Sequence, residues 1–279
     1  MPKKPRVSSF RWPILSRKTP VRTERIGIIG GTGWLGGALA EALMDTGFIE
    51  ADRLLLSNRS GSHPLEKTGA RLMADNQGLV DACDTLILSV RPEQFKALNI
   101  DATGKRVISL MAGVPSQVIG QVTGASLIVR AMANAAVEIR QSFTPWHCAH
   151  DLSASEVDFI QGLLACVGTA SRVPSEDAID YLSALSGTGP AFPALLMTAL
   201  AHQAVAAGIP EDIARSAARG VVLNASQLLN KTEPQDLIDS LVAYKGVTAA
   251  ALQSLMDAGF EGMIGEAVQA GAEVARRGM

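Results

Sequence analysis

The segment Gly30-Gly31-Thr32-Gly33-Trp34-Leu35-Gly36 has the spacing that lets a backbone cradle a pyrophosphate. It contains GxGxxG at Gly31, Gly33 and Gly36, and Gly30 with Gly33 also fits a GxxGxxG spacing. The pattern alone is weak. Here it follows an apolar run, RIGIIG, and opens a helix-like stretch, the context that gives it meaning. Glycines allow the sharp turn and close approach, and the positive end of the helix favours the phosphate charge. About twenty residues onward, a dinucleotide site built for NAD carries Asp or Glu against the ribose hydroxyls. This chain carries Ser57-Asn58-Arg59-Ser60 instead, with no carboxylate and a guanidinium suited to the extra phosphate of NADP. These residues point to NADPH.

Other reactive side chains are fewer. Thr248 stands where a helix begins and offers a hydroxyl that can orient or donate a proton; a threonine there equally serves as a helix cap. Gly246 precedes it, and exposed N–H groups at that helix start, with Lys245 beside them, could receive a carboxylate. Lys245 could equally face water. His147-Cys148-Ala149-His150 has ligand chemistry, but no second cluster completes a four-ligand site, so no metal is expected. His202 lies inside an apolar helix and reads as buried. GxSxG, HExxH and Walker-type sequences are absent, which leaves hydrolase and nucleotidase readings unsupported.

The elements that must position these groups follow from hydropathy. Of 279 residues, 47% are hydrophobic and 19% charged, enough for a sizeable core. A net charge of −2 calls for neither nucleic acid nor an anionic membrane. Residues 1–23 form a basic, proline-broken tail without the apolar core of a signal peptide and read as disordered. Short apolar runs begin at Arg25, Leu54, Thr85, Lys105 and Ser126, with Gly168 to Val173 a further candidate strand; helical segments alternate with them. That alternation predicts an α/β fold with a Rossmann-type parallel sheet over residues 24–174. From residue 175 to 279 the pattern is all-helical. Ala191 to Ala207 approaches a membrane span in length, but His202, Gln203 and the lack of basic flanks favour a buried helix, between subunits or in a core. Cys83, Cys148 and Cys166 form no paired framework and read as reduced cytoplasmic thiols.

The second half then supplies Ala184-Leu185-Ser186-Gly187-Thr188-Gly189-Pro190-Ala191-Phe192, which is similar to the ALSGSGPAY signature of pyrroline-5-carboxylate reductases. Val90-Arg91-Pro92, Ala112-Gly113-Val114, Val129-Arg130-Ala131-Met132 and Gly208-Ile209-Pro210 support the resemblance, which runs from Arg25 to the C-terminus. It implies hydride transfer from NADPH to a cyclic imino acid, giving proline, in a homodimer or a larger assembly of dimers with a shared active site. It also implies that Val90, Arg91, Pro92, Ala112, Gly113 and Asn134 border the cofactor. Ser186, Gly187, Thr188 and Gly189 would face nicotinamide or substrate, and Thr248 would meet the imine nitrogen. The chain departs from the family in three places. Its substrate loop, usually SSPGGTT, reads Val242-Ala243-Tyr244-Lys245-Gly246-Val247-Thr248; its MPNTP stretch reads Met132-Ala133-Asn134-Ala135-Ala136. The first turn is one residue longer than GAGNMG and looks like the GGTGNLG of deazaflavin-dependent NADP reductases. A related imine reductase with a different ring, and a non-catalytic NADP-binding dimer, are the alternatives.

Overall fold

The computed structural model describes residues 23–58 and 69–277. The basic tail and the Arg59–Ser60 pair lie outside the described residues. The described residues divide into two compact units, one of residues 23–189 together with 266–277, the other of residues 190–265.

The first unit is built on one eight-stranded sheet, in the order β3-β2-β1-β4-β5-β6-β7-β8. The strands are β1 (Ile26–Ile29), β2 (Leu54–Ser57), β3 (Arg71–Leu72), β4 (Thr85–Leu88), β5 (Arg106–Ser109), β6 (Leu127–Ala131), β7 (Ser142–His147) and β8 (Gly168–Arg172). Every residue of β1, β2 and β4 is buried, as continuous apolar runs require when helices cover both faces. The period-two alternation sorts them. Ile26, Ile28, Leu54 and Leu56 join Leu39 and Leu43 on one face; Ile29, Leu55, Leu86 and Leu88 join Leu79 and Phe95 on the other. Helices α1 (Trp34–Asp45), α2 (Asn76–Ala82), α3 (Pro92–Phe95), α4 (Ser116–Thr123), α5 (Ala154–Ala165) and α6 (Glu176–Leu182) connect or follow the strands. Local signals set their ends. Asp75 caps α2 by accepting from the Gly78 N–H, Ser153 and Glu156 form a capping box on α5, and Gly124 at φ 70° ends α4.

β1 is flanked by β2 on one side and β4 on the other, all parallel, so the strand order reverses at β1. Open α/β sheets bind ligands beyond the carboxyl ends of the strands at such a reversal. The expected strand starting at Gly168 forms. The sheet is not wholly parallel, however, because β7 runs antiparallel to β6. The hydropathy reading does not contain β7: Ser142-Phe143-Thr144-Pro145-Trp146-His147 mixes polar residues with a proline, which argues against a strand. Buried Trp146 and Thr144 hold it in the sheet, with the Trp146 indole donating to Gln161 at 2.7 Å. His147 thus sits in a strand, its Nδ1 3.0 Å from the Val173 carbonyl.

The second unit is helical: α7 (Ala191–Ala206), α8 (Glu211–Arg219), irregular turns over Gly220–Asn230, α9 (Pro234–Ala243), α10 (Val247–Asp257) and the start of α11 (Phe260–Arg277). Within the described residues of the single chain no residue of α7 is buried and its His202 is exposed, so of the two places expected for this helix, a core or a subunit interface, the core of its own chain is not the one it takes. The continuous helix from Glu176 to Ala206 is long and apolar enough to cross a bilayer by length and composition.

Candidate active site

The glycine turn fills the end of β1, and its glycines divide by role. Gly30 has φ 81°, and a Cβ there would stand 2.2 Å from the Ser89 carbonyl oxygen beyond β4. At Gly36 a Cβ would stand 2.4 Å from the Gly30 carbonyl and 3.1 Å from Ser89 Oγ, so this glycine lets α1 pack onto the turn. Gly31 is packed against Leu56. Gly33 differs: it is exposed, and the nearest atom to an added Cβ is the Gly30 carbonyl oxygen at 3.2 Å. Internal packing therefore accounts for Gly30, Gly31 and Gly36, while Gly33 is exposed at the start of a helix and has one close neighbour, the Gly30 oxygen. Gly30, Gly33 and Gly36 keep the GxxGxxG spacing, and the close approach of Gly30 to Ser89 lies outside the GxGxxG reading.

No side chain caps α1, and its first turn holds no acidic residue. Its leading N–H groups consequently keep their need for an acceptor, and the helix end carries partial positive charge. A pyrophosphate suits that seat. Around it, Asn58 donates from Nδ2 to Thr32 Oγ1 at 2.7 Å, which ties the end of β2 to the turn. Trp34 is 60% exposed and its indole donates to Glu138; Leu35 packs inward against the core. Val90 packs beneath Gly30, Arg91 is exposed as the residue before α3, and Pro92 starts that helix where a missing N–H costs nothing. Ala112 and half-buried Gly113, at φ 67°, follow β5.

Asn134 joins two of the quoted stretches. Its Oδ1 accepts from the Ala136 N–H at 2.9 Å and its Nδ2 donates to the Ser186 carbonyl at 2.8 Å. Ser186 lies in a π-helical turn, Ser183–Gly187, between α6 and α7. Such wide turns concentrate at functional sites. The Gly189 N–H also donates to the Ser186 carbonyl, at 2.9 Å, and a Cβ on Gly189 would stand 2.7 Å from that oxygen. Gly187 and Thr188 are half-buried between them.

A charged cluster lies under this turn. Arg130, 2% exposed, donates to Glu176 at 3.0 Å and to Asp180 at 2.8 Å. Burial raises the Glu176 carboxyl, but hydrogen bonds from Ser116 and Arg130 and the Arg130 charge outweigh it and hold the group below its ordinary range. One signal for the cluster was available: a single arginine within the apolar run LIVRA.

Lys245, Gly246 and Thr248 belong to the helical unit. Gly246, at φ 139°, is the residue before α10, so Thr248 is not the cap; it is exposed, and its hydroxyl has no hydrogen-bond partner among the described residues. Lys245 is exposed at φ 54°, a left-handed conformation uncommon for a lysine.

Comparison with known proteins gives the family and the fold. Residues 176–278 match the family model for pyrroline-5-carboxylate reductase dimerisation, and residues 25–113 match that for coenzyme F420-dependent NADP oxidoreductase. The crystal structure of the Plasmodium falciparum pyrroline carboxylate reductase with NADP bound shares the fold, with a TM-score of 0.77 at 21% identity over 91% of this chain and 98% of that one. The Coxiella burnetii pyrroline-5-carboxylate reductase structure superposes with a TM-score of 0.80 at 27% identity, covering 92% and 98% of the two chains. The pyrroline-5-carboxylate reductase of a Synechocystis strain is 30% identical over 259 residues, 88% of this chain and 95% of that protein. With that identity spread over nearly the full length of the relative, this chain belongs to the pyrroline-5-carboxylate reductase family.

Proposed function

We propose that the protein reduces 1-pyrroline-5-carboxylate to proline with NADPH. The observation that carries this reading is the joining of an uncapped, glycine-opened helix at the β1–β4 reversal to the Asn134-held turn Ser186–Gly189 in one compact unit. Family membership supplies the substrate class. The reduced nicotinamide, when bound, supplies the hydride that the imine carbon accepts. The chain's own residues bind and orient. Gly33, Trp34, Leu35 and the N–H groups of α1 hold the pyrophosphate, with Gly30, Gly31, Thr32 and Gly36 shaping the turn. Asn58, Arg59 and Ser60 take the adenosine ribose and its phosphate. Val90, Arg91, Pro92, Ala112, Gly113 and Asn134 border the rest of the cofactor, and Ser186, Gly187, Thr188 and Gly189 the reacting face. Thr248, its hydroxyl unused by capping, donates to the imine nitrogen, while Gly246 and Lys245 receive the carboxylate.

Large apolar side chains on the helical unit, among them Leu195 at 69% exposure and Ile213 at 55%, support a homodimer or an assembly of dimers. Membership in a family with a named dimerisation region supports the same reading. The basic tail, residues 1–23, the sheet region, 24–174, and the helical region, 175–279, form the proposed domains. Three buried cysteines, none of them in a disulfide among the described residues, suit a reduced cytoplasmic setting.

Purified protein mixed with NADPH and 1-pyrroline-5-carboxylate should consume the reduced nicotinamide; absence of turnover would overturn the reading. A second reading, a different cyclic imino acid, is favoured by one observation. Tyr244, 89% exposed, and left-handed Lys245 stand where the family carries small residues. Six-membered cyclic imino acids in the same assay decide between the two.

A further inference from the structure

β6 is aliphatic apart from Arg130, whose side chain is 3% exposed. Its Nη1 reaches Glu176 Oε2 at 3.0 Å and its Nη2 reaches Asp180 Oδ1 at 2.8 Å. Glu176 also accepts from the Ser116 N–H, 3.2 Å from Oε1 and 3.3 Å from Oε2. One guanidinium and one carboxylate thus tie three segments: β6 where it runs into Asn134, α4 where it follows Ala112-Gly113, and α6. Glu176 and Asp180 are four residues apart and share one helix face. A two-point grip on that face fixes the rotation of α6 as well as its position.

α6 continues without a break into the π-helical turn, whose Ser186 carbonyl is held by Asn134. Stability alone is a weak explanation for such a cluster. Apolar replacements of buried ion pairs are often neutral or stabilising, and here Arg130 Nε is buried with no hydrogen-bond partner among the described residues. What an aliphatic filling lacks is direction. We propose that Arg130 is a positioning residue: by gripping Glu176 and Asp180 it sets the rotation of α6, and with it the placement of the Ser186–Gly189 turn against Asn134 and the Ala112–Gly113 loop. The inference rests on the proposed reading that these segments border the reacting groups.

The test uses the full chain, with Asp180→Asn and Arg130→Lys as mild changes. The variant Arg130→Met, Glu176→Gln, Asp180→Leu serves as an uncharged control that keeps the volume filled. Three measurements are made on each: thermal midpoint, NADPH Kd by fluorescence titration, and kcat with 1-pyrroline-5-carboxylate. Asp180→Asn is expected to lower kcat about tenfold while NADPH Kd moves less than about threefold, and Arg130→Lys, which keeps the charge but not the two-point grip, should fall between Asp180→Asn and the wild type. The uncharged control should keep the wild-type midpoint yet stay slow. Amide hydrogen exchange over residues 183–189 gives a readout independent of catalysis and should be faster in Asp180→Asn and in the control. If the wild type fails to reduce the imine, the functional reading falls and the exchange result alone decides the inference. Variants that fold, exchange like the wild type over 183–189 and turn over within about twofold of it would overturn the positioning role.

Discussion

The sheet unit and the helical unit treat their apolar residues in opposite ways. In the first, Ile26, Leu39, Leu54, Leu86, Phe95 and Trp146 are all but sealed from water. In the second, Ala214 and Ala218 are the buried residues between 190 and 265, while Leu195, Ile213, Leu228 and Met263 each expose half or more of their surface. The contrast lies in partnership, since both units are rich in apolar side chains. A parallel sheet closes its core with crossovers from its own chain. Helices apolar on most faces need a surface from elsewhere, and a second copy of the chain supplies it under the proposed assembly. The contrast breaks most directly at α7. Leu195→Asp with Leu196→Asp should dissociate the assembly and abolish turnover. Each leucine loses about 2 kcal/mol of burial, and two-fold symmetry counts every loss twice. Sedimentation velocity checks it; a wild type that sediments as a monomer would mean the exposed faces have another explanation.

The next largest effect belongs to the sheet unit. Gly30→Ala places a methyl group 2.2 Å from the Ser89 carbonyl at φ 81°, so either the turn or β4 must shift. A loss of about 3 kcal/mol in unfolding free energy is expected, read by denaturant titration. Gly33→Ala is the informative neighbour. Its Cβ meets only the Gly30 oxygen at 3.2 Å, so stability should fall by about 1 kcal/mol or less while NADPH affinity drops at least about tenfold. Equal losses at both positions would erase the division of roles between the glycines. In the helical unit, Thr248→Ala should cut kcat about a hundredfold with NADPH Kd unchanged, since the hydroxyl makes no hydrogen bond within the described chain. If binding and rate fell together, the threonine would be structural. Arg59→Ala should narrow the preference for NADPH over NADH by about tenfold, measured as a ratio of kcat/KM values.

How far the sequence disclosed this arrangement depended on the kind of signal each residue carried. β1, β2 and β4 were legible because strands buried on both faces must be continuously apolar, and few loops are. β7 was not, since Pro145 and Thr144 suit a loop equally well and only the β6 and β8 neighbours make it a strand. The glycine turn could be located but its roles could not be assigned, because the difference between Gly31 and Gly33 is a matter of what surrounds an absent Cβ. Thr248 looked like a helix cap by residue type; the backbone gives that place to Gly246. Pairings across long separations, Asn134 with Ser186 and Arg130 with Asp180, left no periodic trace. They depend on topology bringing β6 beside α6, and no local pattern encodes that.

The smallest effect separates the units by acid. Glu176, in the sheet unit, titrates below its ordinary value of 4.5: burial works against ionisation, but the Ser116 and Arg130 hydrogen bonds and the Arg130 charge prevail. A carboxyl depressed on folding binds fewer protons in the native than in the unfolded state wherever the two differ. Its contribution is fully present above pH 4.5 and is lost as pH falls from there through the depressed native value. Unfolding free energy should decline over that acid window, and Glu176→Gln should remove this part of the slope while lowering stability near neutrality, where the charge is in place. The same titration performed on the Thr248→Ala variant should keep the wild-type slope, because the helical unit's hydroxyl exchanges no proton there. A Glu176→Gln curve parallel to the wild type below pH 4.5 would mean that Glu176 takes up its proton at the same pH folded and unfolded, and that the Arg130 cluster holds the sheet unit by shape alone.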